Sequence, residues 1–173
     1  MLDLSDLPGK QILGIGHPLR DAAGGFEYVD VRTPTVVYRF TANEMGGERT
    51  DGGWTMDHYS LSVDRFDALE QRQHPPVVPR FVVDVEQVLC DEWLGPVDRS
   101  ISAYGANPRP LFDGPVGSAP AETPHVTITR GVIVTTDGPS LLISTFSFPQ
   151  QVDYTTEPIR VQEFRNEYRA PKP

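Results

Sequence analysis

VTITRGVIVTTDGPSLLISTFSF, from Val126 to Phe148, sets two apolar-alternating segments on either side of Thr136-Asp137-Gly138-Pro139. In the first arm Val126, Ile128, Val132 and Val134 share a two-residue period, and in the second Leu142, Phe146 and Phe148 do the same. Successive side chains of a strand point to opposite faces, so this period marks strands with one buried face. An Asp-Gly pair between such runs favours a tight reversal, and the arms are expected to pair antiparallel. The stretch assigns the chain to the mainly β class.

Outward from the hairpin, further short alternating runs follow the same logic. Gln11–Gly16 reads as a strand, Phe26–Arg32 pairs with Thr35–Thr41 across Thr33-Pro34, and Trp54–Val63 forms another strand with Tyr59, Leu61 and Val63 on one side. Residues 43–53 carry four glycines and read as a connection. Two helices are expected. Asp64 starts a short one that Pro75-Pro76 stops, and Val85–Leu94 forms a second, with Asp84 as N-cap, Gln87 as its capping-box partner and a Val83–Val88 staple. After the hairpin, Ile159, Val161 and Phe164 alternate into a last strand near Pro158–Tyr168. The expected architecture is an antiparallel β-sandwich or partly open barrel of about seven to nine strands with one or two short helices. One domain spans 1–173, with an irregular proline- and glycine-rich loop at 105–124 and a frayed tail at 170–173.

Composition narrows the partners. With 24 acidic against 15 basic residues the net charge is −9, so a phosphate backbone is repelled and nucleic acid is not an expected partner. No apolar run approaches the ~20 residues that cross a bilayer, and the amino terminus carries acids where a signal peptide carries bases. The lone Cys90 cannot build a disulfide framework. The expected location is the cytoplasm, without membrane association. Of the 15 basic residues only Lys10 and Lys172 are lysine, a usage that suggests a GC-rich bacterial genome.

No catalytic signature emerges. His17, His58, His74 and His125 lie apart, without the i, i+2 or i, i+4 spacing that presents two ligands from one element, so neither a metal nor a cofactor is expected. Asp57 precedes His58 on a presumptive strand and points to the opposite face, so it does not orient the ring. No Gly-x-Ser-x-Gly elbow is present, and Gly14-x-Gly16 is followed by Leu19 where a dinucleotide loop needs glycine. Acids around Cys90 suppress its thiolate.

Two functional expectations follow. The first is a non-enzymatic module that binds a basic protein through Glu44, Glu48 and Asp51 in the glycine-rich loop and Tyr104, Arg109 and Phe112 in the proline-rich loop, because aromatic and arginine side chains anchor interfaces and acids attract a basic partner. In kind, not by any motif, such a protein is similar to bacterial toxin-neutralising (immunity-like) proteins and adaptor subunits. The alternative is a small-molecule-binding barrel or enzyme with a pocket bordered by Trp54, His58 and Tyr59.

Overall fold

A computed structural model describes residues 1–20, 24–45, 58–68, 79–93, 97–98, 109–110, 125–145 and 151–168. The hairpin forms as the alternation demands. β9 (His125–Thr136) pairs antiparallel with β10 (Leu141–Thr145), Val132 opposite Ile143 and Val134 opposite Leu141. The reversal is closed by its own side chains. Thr136 Oγ1 accepts from Gly138 N at 3.0 Å and donates to the Pro139 carbonyl at 3.1 Å, while Asp137 Oδ1 accepts from Phe81 N at 3.0 Å. The expectation of one buried face is corrected, since both faces of the hairpin are buried; Phe146 and Phe148 of its second arm lie outside the described residues. Val132, Val134, Leu141 and Ile143 face the main core, and Ile133 and Leu142 face a second cluster on the other side.

The first hairpin also stands where its sequence puts it: β3 (Tyr28–Arg32) pairs with β4 (Val36–Met45), and Thr33 Oγ1 donates to the Val36 carbonyl at 2.8 Å. β4 pairs in turn with β5 (His58–Asp67), whose Tyr59 and Leu61 point into the core. The expected helix from Asp64 is therefore corrected over 64–67, which continue β5 opposite the long strand β4; residues 69–73 lie outside the described residues.

The helix expected over Val85–Leu94 is a strand. β6 (Arg80–Trp93) pairs with β9 along nearly its whole length. Two bulges interrupt the pairing, and the first falls between Val82 and Asp84, where Val83 is an extra residue on β6. Val82 and Val85 thereby reach the same core although they are three apart, which imitates helical spacing. Val83, the residue read as a hydrophobic staple, is 62% exposed. Arg130 is the corresponding extra residue on β9 at the second shift, between Val88 and Leu89. Four β-branched valines in seven residues suit the pleated, paired surface better than a helix.

The strand expected over Pro158–Tyr168 is, conversely, the helix α1 (Pro158–Glu167). Proline at its first turn brings a preset φ and lacks an amide that would have no partner there. Val161, Phe164 and Tyr168, spaced by three and four, form the face that meets Val88, Ile133 and Leu142, whereas Ile159 is 66% exposed. Gly131 permits the approach, since a Cβ there would lie 2.7 Å from the Phe164 ring. Arg165 pairs with Glu86 of β6 at 2.7 Å. Burial raises the Tyr168 hydroxyl pKa above its ordinary value against the opposing hydrogen bond from Arg130.

The strands make two main antiparallel sheets, β1-β6-β9-β10-β11 and β2-β3-β4-β5, where β1 is Gln11–Ile12, β2 is Gly14–Gly16 and β11 is Val152–Thr155. Gln11–Gly16, expected as one strand, divides at Leu13 so that the chain passes from one sheet to the other. Phe26 bridges to Val152 at another corner, and Thr129 N donates to Ser60 Oγ at 3.0 Å at a third. The result is a partly open barrel or sandwich with one helix among the described residues. Eleven strands are described, more than the expected count. The excess comes from the divided first strand and from short elements such as β7 (Val97–Asp98) paired with β8 (Arg109–Pro110), the latter inside the stretch read as loop. The core draws on both sheets, with Val29, Val31, Tyr38 and Phe40 meeting Val132, Val134, Ile143 and Val152, and Leu4 and Leu7 of the amino-terminal arm join it.

The arm is tied down by a polar cluster at Tyr38. Lys10 Nζ donates to Asp6 Oδ2 and to Tyr38 Oη, both at 2.6 Å, Tyr38 Oη donates to Asp6 Oδ2 at 2.8 Å, and Arg65 reaches Asp6 Oδ1 at 3.0 Å. The Lys10 hydrogen bond, helped by Tyr38 and Arg65 and opposed by burial, holds the Asp6 carboxyl below its ordinary pKa. A carboxyl whose pKa is lower in the folded state adds stability above its unfolded value and loses it as pH falls through the folded one. Acidification from about pH 6 to about pH 3 is therefore expected to lower the melting temperature less in Asp6→Asn than in the wild type. Equal decrements in parallel thermal scans would mean that Asp6 does not couple to folding.

Candidate binding site

A cleft of about 200 Å³ lies between α1 and the outward face of β10 and β11. Register builds its floor, because Leu142 stands opposite Thr155 and Ser144 opposite Asp153. Helical spacing builds its wall, because Arg160, Glu163, Phe164 and Glu167 fall at i, i+3, i+4 and i+7. Leu142 and Phe164 supply apolar surface. Asp153, Glu163 and Glu167 supply three carboxylates against the single guanidinium of Arg160. That guanidinium is already engaged by Glu157 at 3.0 Å, and Asp153 by Arg20 at 3.1 Å.

Behind the cleft, the segment between β2 and β3 packs on β11. The rings of His17 and Phe26 have centroids 4.3 Å apart, Tyr154 stacks on Phe26 at 5.8 Å, and the Arg20 guanidinium lies 4.7 Å from the Phe26 centroid. Arg20 also donates to the Gly24 carbonyl at 2.6 Å, so this exposed guanidinium ties the segment to Asp153.

Several other cations are likewise held in pairs within the chain. Lys10 and Arg65 pair with Asp6, Arg39 with Asp30, Arg160 with Glu157 and Arg165 with Glu86. Exposed carboxylates at Glu27, Glu44, Asp64, Asp67, Asp84, Glu163 and Glu167 form no ion pair among the described residues.

The residues singled out from sequence are distributed as follows. Glu44 is exposed near the end of β4, directly opposite Tyr59 on β5. Tyr59 is 5% exposed, and its ring belongs to the main core. His58 opens β5 opposite Met45, and Arg109 opens β8; the side chains of both lie outside the described residues, as do Glu48, Asp51, Trp54, Tyr104 and Phe112 entirely. Among the described residues no group of three or more His, Cys, Asp or Glu side chains is arranged to hold a metal ion. No described helix is long and apolar enough to cross a membrane. The cleft residues Ser144, Asp153, Glu163 and Glu167 were missed by sequence reasoning. Their only local signal was the three- and four-residue spacing of Val161, Phe164 and Tyr168, which a strand reading of 158–168 conceals.

Comparison with known proteins yields no matching family model, no similar curated protein and no similar solved structure.

Proposed function

We propose that this protein is a non-enzymatic binding module for a basic protein partner, in an immunity-like or adaptor role. The observation that carries the reading is the unequal use of charge among the described residues: Lys10, Arg20, Arg39, Arg65, Arg160 and Arg165 are spent on pairs within the chain, while Glu44, Asp64, Asp67, Asp84, Glu163 and Glu167 on β4, β5, β6 and α1 are exposed and form no ion pair there. Such a surface projects a negative field that steers and orients a positively charged protein. The loop acids Glu48 and Asp51, near Glu44 in sequence, extend that surface in this proposal, with Tyr104, Arg109 and Phe112 as anchors.

Affinity capture from the lysate of its own source, at low and at moderate salt, tests the reading. A stoichiometric basic protein retained at low salt and lost as salt rises is the expected outcome, and reversing Glu44, Glu48 and Asp51 to lysine should weaken its capture. An acidic or salt-insensitive partner, or no protein partner at either salt, would remove the basis of the proposal.

A further inference from the structure

We infer that the cleft between α1 and β10–β11 receives a single arginine or lysine side chain from an extended basic segment of the partner. The inference rests on the basic-partner reading and adds the place and the chemistry of recognition. Size decides the class of occupant first. At about 200 Å³ the cleft is below the ~300–1,000 Å³ range of sites that enclose a whole small-molecule ligand, yet it has room for one long side chain. Its chemistry runs in the order that a cationic side chain requires. Leu142 and Phe164 offer apolar contact to a methylene stem, and Glu163 and Glu167 offer carboxylates to the charged head, with Asp153, already paired with Arg20, at its side. Ser144 and Thr155 add hydroxyl oxygens on the floor.

Charge complementarity also argues against the other occupants. An anionic ligand would meet Glu163 and Glu167, which form no ion pair among the described residues, beside Asp153, which Arg20 holds, and the Arg160 guanidinium there is engaged by Glu157. A second copy of the same cleft is acidic as well, so self-pairing through this surface juxtaposes like charges. The recognising element is held on rigid parts: the floor by the β10–β11 register, and the wall by the burial of Val161 and the seating of Phe164 over Gly131. Little reorganisation is needed on binding, which favours affinity for a small contact.

The test uses the full chain and a labelled nine-residue peptide of alternating arginine and serine, with a control in which neutral citrulline replaces each arginine. Fluorescence anisotropy measures affinity, and amide shifts map the contact. The arginine peptide is expected to bind, to shift the amides of Leu142, Ser144, Asp153, Thr155 and Glu163, and to weaken about tenfold or more in Glu163→Lys/Glu167→Lys. Both substitutions are at exposed positions toward the carboxyl end of α1, where lysine suits the helix dipole, so folding should persist. Glu163→Gln/Glu167→Gln provides a second, milder variant with an intermediate loss. Binding by the citrulline peptide at equal affinity, shifts confined to other surfaces, unchanged affinity in both variants, or no binding of the arginine peptide would each overturn the assignment of the cleft. Shifts on other acidic surfaces with retained salt-sensitive capture would overturn the cleft alone and leave the basic-partner reading standing. Failure of both the peptide and the capture experiment would remove the two together.

Discussion

Val132→Asp is expected to abolish the cooperative unfolding transition of this protein. Val132 has no exposed surface, lies opposite Ile143 on β10 and Gln87 on β6, and belongs to the cluster that joins both sheets. Its neighbours in that cluster, Val134, Ile143 and Val152 among them, are apolar and buried. Burying a charge without a partner costs about 4 kcal/mol or more, to be set against a total stability of roughly 5–15 kcal/mol for ordinary domains. Two comparisons isolate the cause. Val132→Ala keeps the site apolar and should remain folded with about 2 kcal/mol lost to the cavity. Val83→Asp places the same charge on the residue that the β6 bulge turns outward, 62% exposed, and should change stability by less than about 0.5 kcal/mol. Urea denaturation followed by circular dichroism reads all three. A native-like transition for Val132→Asp would contradict the buried face of β9.

Arg39→Met should cost about 3–5 kcal/mol, because it strands a carboxylate that has no access to water. Asp30 has no exposed side-chain surface, and Arg39 Nε and Nη2 donate to its Oδ1 and Oδ2 at 2.8 and 2.9 Å. The guanidinium is held flat against the sheet, 3.8 Å from the Tyr28 centroid and 5.3 Å from that of Phe66. Its pKa is raised, chiefly by the Asp30 hydrogen bonds, so the guanidinium stays charged. The double variant Asp30→Asn/Arg39→Met removes both charges and should lose much less than Arg39→Met alone, since a buried pair is costly to break and cheap to replace. Arg39→Lys should fall between them, because an ammonium cannot reproduce the two-pronged geometry or the ring contact. The idea fails if Arg39→Met and the double variant are equally stable in chemical denaturation.

The elements whose sequence could be read directly are those in which one local signal governs. The β9–β10 hairpin has apolar-alternating arms around an Asp-Gly reversal, and the β3–β4 hairpin has Thr33-Pro34 between two β-branched runs; both form with the expected pairing. Reading failed at β6, where Asp84, Gln87 and a Val83–Val88 contact suggested a helix start although a bulge turns Val83 outward and residues 84–93 pair with β9 as a strand. It failed again at 158–168, where Ile159 and Val161 suggested alternation although only Val161 is buried.

The candidate cleft was illegible for a different reason. Asp153 and Ser144 belong to different strands and meet only through register, and Glu163 and Glu167 join them only because α1 docks on the sheet. Sequence by itself determined the mainly β class, the antiparallel hairpins and the acidic balance, since these follow from local periodicity, turn chemistry and composition. Tertiary structure alone decided which apolar face met which, where the one described helix lay, and which carboxylates gathered around a cleft, because those outcomes depend on bulges, strand register and long-range packing that no short window of residues encodes.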